Sequence, residues 1–342
     1  MARLVLHCPA VDSRQATALA HPNLALTKYW GNRDDQLRIP ANGSIALTLG
    51  AFETRTTAAW IRGLGQDELT INGPAASASA VRRASAVLDA IRELAGFDDR
   101  ARIASANSFP SDAGLASSSS AFAALAVAAA TAAGLSLDEA TLSRIARRGS
   151  GSACRSIPGG YVEWLPGTGD RDSFAVRLAG PDHWDLTDLV VLVDPGPKAV
   201  GSSEGHTTAS TSPLQAARLA DAPRRTWECR EAVLQRDFQR LADVVELDSN
   251  LMHAVMATSS PPLLYLQQAT IAVLQEVTGW RRAGIPVCYT VDAGPNPHLL
   301  TPTDRADEIA ARARAIPGVR RILSSPPGDA PRVLSPESPR TG

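Results

Sequence analysis

The chain has 342 residues, of which 44% are hydrophobic and 20% charged, as expected for a globular protein with one elaborated domain or two smaller ones. Its formal net charge of −1 provides no basic field that would attract nucleic acid or a membrane surface. No apolar run has the ~20-residue length of a membrane span, and the first residues lack a signal-peptide pattern. The four cysteines are widely spaced, so we expect a cytoplasmic protein without a disulfide framework or a zinc site.

In the first half of the chain, alternating apolar residues predict strands, and apolar residues three to four positions apart predict helices. The predicted strands cover residues 14–20, 23–29, 45–61, 100–107 and 160–165. The predicted helices cover residues 79–95, the Ala-rich run 121–133, and a short segment that ends at Arg147 and is capped by Ser136 or Asp138. Turn-forming residues make 28–44 mostly a loop and 67–73 a turn or short hairpin.

In the second half, the pattern changes to a series of helices. The predicted helices are residues 213–221, 223–235, 237–257, 263–283 and 303–315, and the predicted strands are 188–194, 286–292 and 320–323. The Gly/Pro/Ser-rich segment 195–213 is long for a connection, and long loops are often functional. Because the helices cluster late in the chain, we predict an α+β protein with two lobes rather than a doubly wound sheet.

The stretch 109–134, FPSDAGLASSSSAFAALAVAAATAAG, is a loop that leads into a buried helix. The first turn of a helix has unpaired N–H groups and the positive end of the helix dipole, so it suits a phosphate. It is not a Walker A loop, because G-x-x-x-x-G-K-[ST] is absent. From these residues alone, an Ala-rich core helix with a serine cap remains an equal alternative.

Two further segments have the composition of anion-binding or catalytic sites. The segment 147–164 places four glycines and three serines around Arg155, which is poor core sequence and favours an anion-binding loop. In DAGPN, Asp292 follows a predicted strand and precedes a glycine, a position that suits a general base. A turn-capping aspartate is the alternative for this pentapeptide.

Four motifs follow one another along the chain: KYWG at 28–31 with RD at 33–34, GLASS at 114–118, RRGSGSACRS at 147–156 and DAGPN at 292–296. Weaker matches are PNLAL at 22–26, TSP at 211–213 and MHA at 252–254. Together, over about residues 15–300, they resemble the mevalonate diphosphate decarboxylases of the GHMP small-molecule kinase superfamily. The ordered set is far more specific than any one of its motifs.

This resemblance implies a two-lobed GHMP kinase fold with the active site in a cleft. The expected parts are a ribosomal-S5-like N-terminal lobe, a ferredoxin-like C-terminal lobe and a Pro-rich flexible tail, at residues 1–187, 188–324 and 325–342, with an ATP phosphate loop at 109–120. It also implies a homodimer that binds ATP, Mg²⁺ and a small-molecule substrate, with no nucleic-acid or membrane partner. The implied reaction phosphorylates a tertiary 3-hydroxyl and then eliminates phosphate and CO2.

The resemblance also assigns roles to single residues. Asp292 would be the catalytic residue that takes or orients the hydroxyl proton, Arg155 would hold the substrate carboxylate, and Lys28 would lie near the transferred phosphate. The expected substrate-binding residues are Asn23, Tyr29, Trp30, Asn32, Ser150, Ser152, Arg155 and Ser202. The expected ATP-binding residues are Pro110, Gly114, Leu115, Ala116, Ser117 and Ser118, with Ser118 also meeting Mg²⁺ through ATP.

Three positions depart from the diphosphate-using relatives by losing or weakening a cation. Relatives usually have lysine at the position of Asn32, some have arginine at Ser203, and many have lysine at His298. A phosphate contact to a charged donor contributes roughly 1.5–3 kcal/mol. We therefore predict 5-phosphomevalonate as the substrate and isopentenyl phosphate as the product, with diphosphomevalonate and isopentenyl diphosphate as the alternative.

Two other functions remain as alternatives. One is a GHMP kinase that phosphorylates without decarboxylation, although retention of Asp292 and Arg155 argues against it. The other is a non-catalytic binding protein on this fold, which would normally have lost these residues.

Asp112, in the predicted phosphate loop, is another departure from relatives. We expect its side chain to point outward or to cap the loop.

Overall fold

The structure is a computed structural model and describes residues 14–109, 117–193 and 202–335 of the chain. The strands in these ranges are β1 (Gln15–Ala20), β2 (Asn23–Ala25), β3 (Asn32–Asp34), β4 (Ile39–Pro40), β5 (Ser44–Thr48), β6 (Thr54–Ile61), β7 (Glu68–Ile71), β8 (Arg100–Asn107), β9 (Tyr161–Leu165), β10 (Phe174–Ala179), β11 (Leu186–Leu192), β12 (Cys288–Val291), β13 (Pro297–Pro302), β14 (Arg321–Ser325) and β15 (Arg332–Leu334). The α-helices are α1 (Ala78–Ala95), α2 (Ser117–Ala132), α3 (Glu139–Gly149), α4 (Ser202–Thr208), α5 (Gln215–Gln235), α6 (Phe238–Thr258), α7 (Gln268–Arg282) and α8 (Ala306–Arg314). A 3-10 helix, Gly151–Ser156, follows α3 after one residue.

Three sheets organise this part of the chain. Their strand orders are β15-β1-β6-β8-β7, β10-β9-β5-β2 and β12-β13-β11-β14, and β3 and β4 form a separate hairpin. Within the described sheets, β7 pairs in parallel with β8, and the other neighbouring strands pair antiparallel. Mainly antiparallel sheets with helices grouped late in the chain confirm the α+β prediction. No helix within the described ranges is long and apolar enough to cross a membrane.

Helix α2 is buried along most of its length because it packs against β1 and β6 on one side and against α3 and the 3-10 helix on another. Its small alanines let the sheet approach closely, and the indole Nε1 of Trp60 donates to the carbonyl of Ala129 at 3.0 Å. Phe122 packs so tightly on Gly149 that a Cβ there would lie 2.2 Å from its ring. This packing places the first turn of α2 beside the last turn of α3.

A second hydrophobic cluster crosses the predicted lobe boundary between residues 187 and 188. It joins Leu24 and Leu47 from the first predicted lobe to Leu186, Val190 and Val245 around the start of the second. All five side chains are almost fully buried. The proposed division at residue 187 therefore falls within a continuous apolar core, and the lobe limits remain a prediction.

Several predicted elements in the first half are corrected by the structure. Residues 45–61 form two strands, β5 and β6, in different sheets, because the chain turns near Gly50, where a Cβ would lie 2.8 Å from the carbonyl oxygen of Pro327. The segment 67–73 contains β7, which pairs with β8, and β7 also turns back as the predicted short hairpin, with an antiparallel bridge between Thr70 and Ala75. The strand predicted at 23–29 ends at Ala25, and the loop predicted at 28–44 contains the β3-β4 hairpin.

Two corrections concern the second half. The helices predicted at 213–221 and 223–235 form one helix, α5, which contains Pro223. A proline removes one hydrogen bond of a helix, but α5 buries residues on both sides of it, including Ala222 and Cys229, and this packing keeps the helix continuous. The strands β10 and β13 were missed, and part of the loop predicted at 195–213 forms α4.

The expected flexible tail is wrong for residues 325–335, which are tied to the N-terminal sheets by backbone contacts. Gly50 N–H donates to the carbonyl of Pro326 at 2.9 Å, Gly328 N–H donates to Thr48 at 2.9 Å, and Gly160 N–H donates to Gly328 at 2.8 Å. Strand β15 then pairs with β1. Composition misses these contacts because backbone groups, and not side chains, make them. Residues 336–342 lie outside the described ranges.

Candidate active site

A buried lysine and a partly exposed carboxylate form the centre of the site. Lys28 follows β2, Asp292 follows β12, and the Nζ–Oδ1 distance between them is 2.5 Å. The Lys28 side chain is 1% exposed and also donates to the carbonyl of Ala25 at 2.9 Å, whereas the Asp292 side chain is 27% exposed. Burial raises the pKa of Asp292, but the charges of Lys28 and His298 and the hydrogen bond from Lys28 outweigh it and hold the pKa at about 2. Asp292 is therefore ionised at neutral pH and can accept a hydrogen bond from a substrate hydroxyl.

The backbone around Lys28 is held by buried polar side chains from two helices. Asp248 of α6 accepts from the Lys28 N–H at 2.8 Å and from Nε of Arg225 at 2.6 Å. Arg218 of α5 donates to the Lys28 carbonyl at 2.7 Å, and Gln215 donates to the Trp30 carbonyl at 3.0 Å. These residues were missed by sequence reasoning. The available signal was that Arg225 lies on the same helix face as the apolar residues of α5.

Arg155 lies in the 3-10 helix after α3 and is 3% exposed. Its Nε donates to Oδ1 of Asn23 at 3.0 Å, and its Nη1 donates to Ser44 at 2.7 Å. Asn23 in turn donates to the backbone carbonyl of Ser152 at 3.0 Å. Burial lowers the pKa of the Arg155 guanidinium, and the nearby carboxylate of Asp292 counteracts this effect. The predicted carboxylate-binding arginine is thus fixed close to the predicted catalytic residue.

Three serine hydroxyls connect the predicted ATP loop to the predicted substrate loop. Ser118, in the first turn of α2, has its Oγ 3.3 Å from Oγ of Ser150, which lies 3.4 Å from Oγ of Ser152. Ser117 is also partly exposed in this turn, whereas Ser120 is buried against Thr54, as expected for a packing residue. The packing of α2 against α3 therefore brings both predicted anion-binding segments to one place.

Aromatic rings form the wall next to this serine row. Tyr29 stacks on His206 with ring centroids 4.0 Å apart, and Trp30 lies 4.6 Å from the same imidazole. The Gly31 N–H donates to Nδ1 of His206 at 3.0 Å. Burial lowers the pKa of His206 to about 3, and the charge of Arg38 adds to this effect, so the imidazole is neutral at physiological pH. No motif in the sequence indicated a role for His206.

Asn32 and His298, two of the departures from the family pattern, both have polar partners. Asn32 accepts a hydrogen bond from the Tyr29 hydroxyl and donates to Asp35 at 2.7 Å. His298 is buried and lies 2.8 Å from a carboxylate oxygen of Asp188. Its charge acts on Asp292, as described above. His298 is therefore engaged with Asp188 inside the sheet, opposite Thr290 of β12.

An apolar cavity of about 150 Å³ opens beside the first turn of α2. Its walls include Leu69, Ile71 and Ile103 together with the polar side chains of Ser105 and Asn107. Ser117 and Ser118 line the same cavity, so it is continuous with the serine row. No sequence motif indicated these residues, because they come from strands β7 and β8, whose sequences have only the pattern of ordinary sheet strands.

Some predicted site residues cannot be compared with the structure. Pro110, Gly114, Leu115 and Ala116 lie outside the described residues, as does Asp112. Ser202 begins α4, but its side chain and that of Ser203 are not described. The other predicted residues of the substrate and catalytic sets, from Asn23 to Asp292, lie in one continuous region around the Lys28–Asp292 pair. Such a region, with a buried cation, an ionised carboxylate and a row of hydroxyls, suits phosphoryl transfer to an alcohol.

Comparison with solved structures defines the class of protein. The chain is similar to a crystal structure of mevalonate diphosphate decarboxylase from Staphylococcus aureus, with 37% identity and a TM-score of 0.89 over 94% of this chain and 98% of that one. It is also similar to a structure described as MDDEF in complex with MVAPP, AMPPCP and magnesium, with 33% identity and a TM-score of 0.88 over 94% and 99% of the two chains. The protein has the two-lobed GHMP kinase fold of these enzymes, as the sequence predicted.

Sequence comparison identifies the family. Residues 20–175 match the diphosphomevalonate decarboxylase-like N-terminal domain, and residues 188–333 match the mevalonate 5-diphosphate decarboxylase C-terminal domain. The chain is 38% identical to the diphosphomevalonate decarboxylase of Candida albicans over 82% of each chain. It is 36% identical to that of Homo sapiens over 86% of this chain and 78% of the human one. The chain belongs to the diphosphomevalonate decarboxylase family.

Proposed function

We propose that the protein converts mevalonate 5-diphosphate and ATP into isopentenyl diphosphate, ADP, phosphate and CO2. The observation that carries this proposal is the Lys28–Asp292 pair, with Nζ and Oδ1 2.5 Å apart, next to the buried guanidinium of Arg155. The relatives named above are diphosphomevalonate decarboxylases, which favours the diphosphate substrate over the monophosphate predicted from sequence. This is the reverse of the preference that Asn32 suggested.

In this proposal Asp292 accepts a hydrogen bond from the substrate's 3-hydroxyl and takes its proton as the oxygen bonds to the γ-phosphorus of ATP. A carboxylate with a pKa of about 2 is a weak base, so its first contribution is to orient the hydroxyl. Proton transfer becomes favourable only as the new P–O bond forms, because bonding to phosphorus makes the alcohol proton more acidic. Lys28 keeps Asp292 ionised and lies close enough to stabilise charge on the transferred group.

Arg155 would bind the substrate carboxylate. In the second step the C–O bond to the new phosphate breaks and phosphate leaves with that electron pair. The bond between C2 and the carboxylate carbon then supplies the electrons for the new double bond, and CO2 is released. Because Asn23 and Ser44 fix the Arg155 guanidinium, the carboxylate is held in one orientation during this cleavage.

The nucleotide would lie along the first turn of α2, with its phosphates on Ser117 and Ser118 and its base in the cavity lined by Leu69, Ile71 and Ile103. The hydroxyl of Ser118 is a hard oxygen donor, which fits a Mg²⁺ ion that arrives with ATP. Bound Mg²⁺ would neutralise phosphate charge. The structure described as MDDEF with AMPPCP and magnesium supports the use of both by this chain.

The test is a coupled ADP-release assay with CO2 detection, run separately with mevalonate, 5-phosphomevalonate and mevalonate 5-diphosphate. We expect the highest kcat/KM with the diphosphate and one CO2 for each ADP. A higher kcat/KM with 5-phosphomevalonate would instead establish the second candidate, phosphomevalonate decarboxylation, which the uncharged Asn32 favours. ADP release without CO2 would identify a kinase that stops after the first step.

A further inference from the structure

Arg38, at the end of the β3-β4 hairpin loop, has an unusual backbone conformation and no carboxylate partner among the described residues. Its φ is 53°, in the left-handed region that non-glycine residues adopt only at a cost. Two contacts fix this part of the loop to the end of α3: Arg147 Nε donates to the Leu37 carbonyl at 2.9 Å, and Arg38 Nε donates to the Arg148 carbonyl at 3.2 Å. The strained Arg38 therefore contacts the chain two residues before Ser150.

A second arginine approaches the same place from α1. Nε of Arg83 donates to the carbonyl of Gly149 at 2.8 Å, and its guanidinium lies 4.8 Å from the ring centre of Phe122. Burial lowers the pKa of Arg83 to about 10, and the charge of Arg38 adds to this effect. Two guanidinium groups thus repel each other beside the serine row, and neither has an ion pair within the described part of the chain. An anion bound there would relieve this repulsion.

The charge of Arg38 also acts on the aromatic wall formed by Tyr29 and His206. This charge is the largest single-charge influence on the Tyr29 hydroxyl, whose pKa burial raises, and on the imidazole of His206. Asn32, which shares a hydrogen bond with that hydroxyl, is uncharged. Among the described residues, Arg38 therefore contributes an unpaired cation on this side of the serine row, whereas position 32 contributes no charge.

We propose that Arg38, supported by Arg83, binds the terminal phosphate of the substrate and so selects a diphosphate over a monophosphate. The inference rests on the proposed function for the identity of the substrate, but the anion-binding site itself does not depend on it. A guanidinium suits this role because it donates to phosphate oxygens through two parallel N–H groups. Arg38 is a substrate-binding residue here, with the carbonyl contact to Arg148 keeping it in position. The competing explanation is that Arg38 only donates a hydrogen bond to a backbone carbonyl at the C-terminal end of α3.

The experiment compares Arg38→Gln, the double variant Asn32→Lys/Arg38→Gln and the control Arg33→Gln. Arg33 belongs to the same hairpin and also binds backbone carbonyls, with Nε 3.0 Å from Pro40 O in β4 and Nη2 3.0 Å from Pro166 O after β9, and not at the end of α3. We expect Arg38→Gln to raise KM for mevalonate 5-diphosphate at least about tenfold, with little change for 5-phosphomevalonate or ATP. The added Asn32→Lys change, next to the Tyr29 hydroxyl, should restore most of the lost affinity for mevalonate 5-diphosphate. The control should stay near wild type.

Calorimetric titration with inorganic pyrophosphate separates this inference from the proposed function. If the wild type does not turn over the diphosphate substrate, the proposed function fails, yet weaker pyrophosphate binding by Arg38→Gln than by wild type still supports the anion site. The inference is overturned if Arg38→Gln binds pyrophosphate like the wild type. It is also overturned if KM rises equally for both mevalonate esters and for ATP and the Asn32→Lys change restores nothing, since a simple helix-end contact predicts that pattern.

Discussion

Asp292 keeps its charge because its surroundings compensate for its burial. Its folded-state pKa of about 2 is lower than the 3.8 of an unperturbed aspartate. The ionised group therefore stabilises the fold above the unfolded-state pKa, and this contribution is lost as the pH falls from about 3.8 to about 2. In the neutral range neither Asp292 nor His206, with a pKa of about 3, changes protonation. If activity falls as the pH is lowered toward about 6, the group that becomes protonated must be a substrate phosphate or another side chain.

We expect Asp292→Asn to lower kcat/KM by about 10²–10⁴-fold, because an amide cannot take the hydroxyl proton. The affinity for ATP, measured by nucleotide titration, should change little. A matched control is Asp243→Asn, which removes a carboxylate that pairs with Arg281 but is 62% exposed on α6. Activity of Asp292→Asn within about tenfold of the control would contradict the catalytic assignment.

At the scale of elements, the site depends on how closely the 3-10 helix after α3 approaches the segment that follows β2. Gly151 has no room for a side chain, since a Cβ would lie 2.6 Å from the Tyr29 hydroxyl. Tyr29 cannot easily move, because it is packed edge-on against Trp164 at 4.7 Å and stacked on His206. The glycine is therefore required by packing, and its position sets the distance between the serine row and the aromatic wall.

Gly151→Ala should therefore displace Tyr29 and break its hydrogen bond to Asn32. Overpacking of this kind costs about 1–3 kcal/mol, so we expect a lower melting temperature and a raised KM for the mevalonate substrate. Gly169→Ala is the control, because a Cβ at Gly169 meets no atom within 4 Å. If thermal unfolding and KM are the same in both variants, Tyr29 is not held as the structure indicates.

The same scale shows what the sequence could reveal. KYWG, the serine-rich segments and DAGPN were expected to meet, because the family resemblance implies one active site in a cleft. The residues that hold them, such as Asp248 and Arg218, belong to no motif, and the only sign of their role was a charged side chain on the apolar face of a helix. The cavity beside α2 was missed for a similar reason: its lining consists of ordinary sheet residues whose role depends on tertiary packing.

For the whole molecule, the C-terminal segment joins sheets that are distant in sequence. It pairs β15 with β1, beginning at Thr17 and Leu334, and it places Gly328 between Thr48 and Gly160. It therefore covers an edge of the five-stranded sheet and links it to the sheet that contains β5 and β9. Composition alone suggested a loose tail here because prolines are frequent in it, yet prolines at such edges remove only unneeded donors.

A chain that ends at Ser325 should consequently be less stable than a chain that ends at Ser335. The shorter chain loses the three backbone hydrogen bonds of Pro326 and Gly328 and the β15 pairing, each contributing about 1 kcal/mol. A loss of several kcal/mol corresponds to a fall in melting temperature of about 10 °C for a protein of this size. It also exposes the β1 edge, so light scattering should detect association on heating. Equal melting temperatures for the two truncated chains would mean that residues 326–335 contribute nothing to the fold, because these residues are the only difference between them.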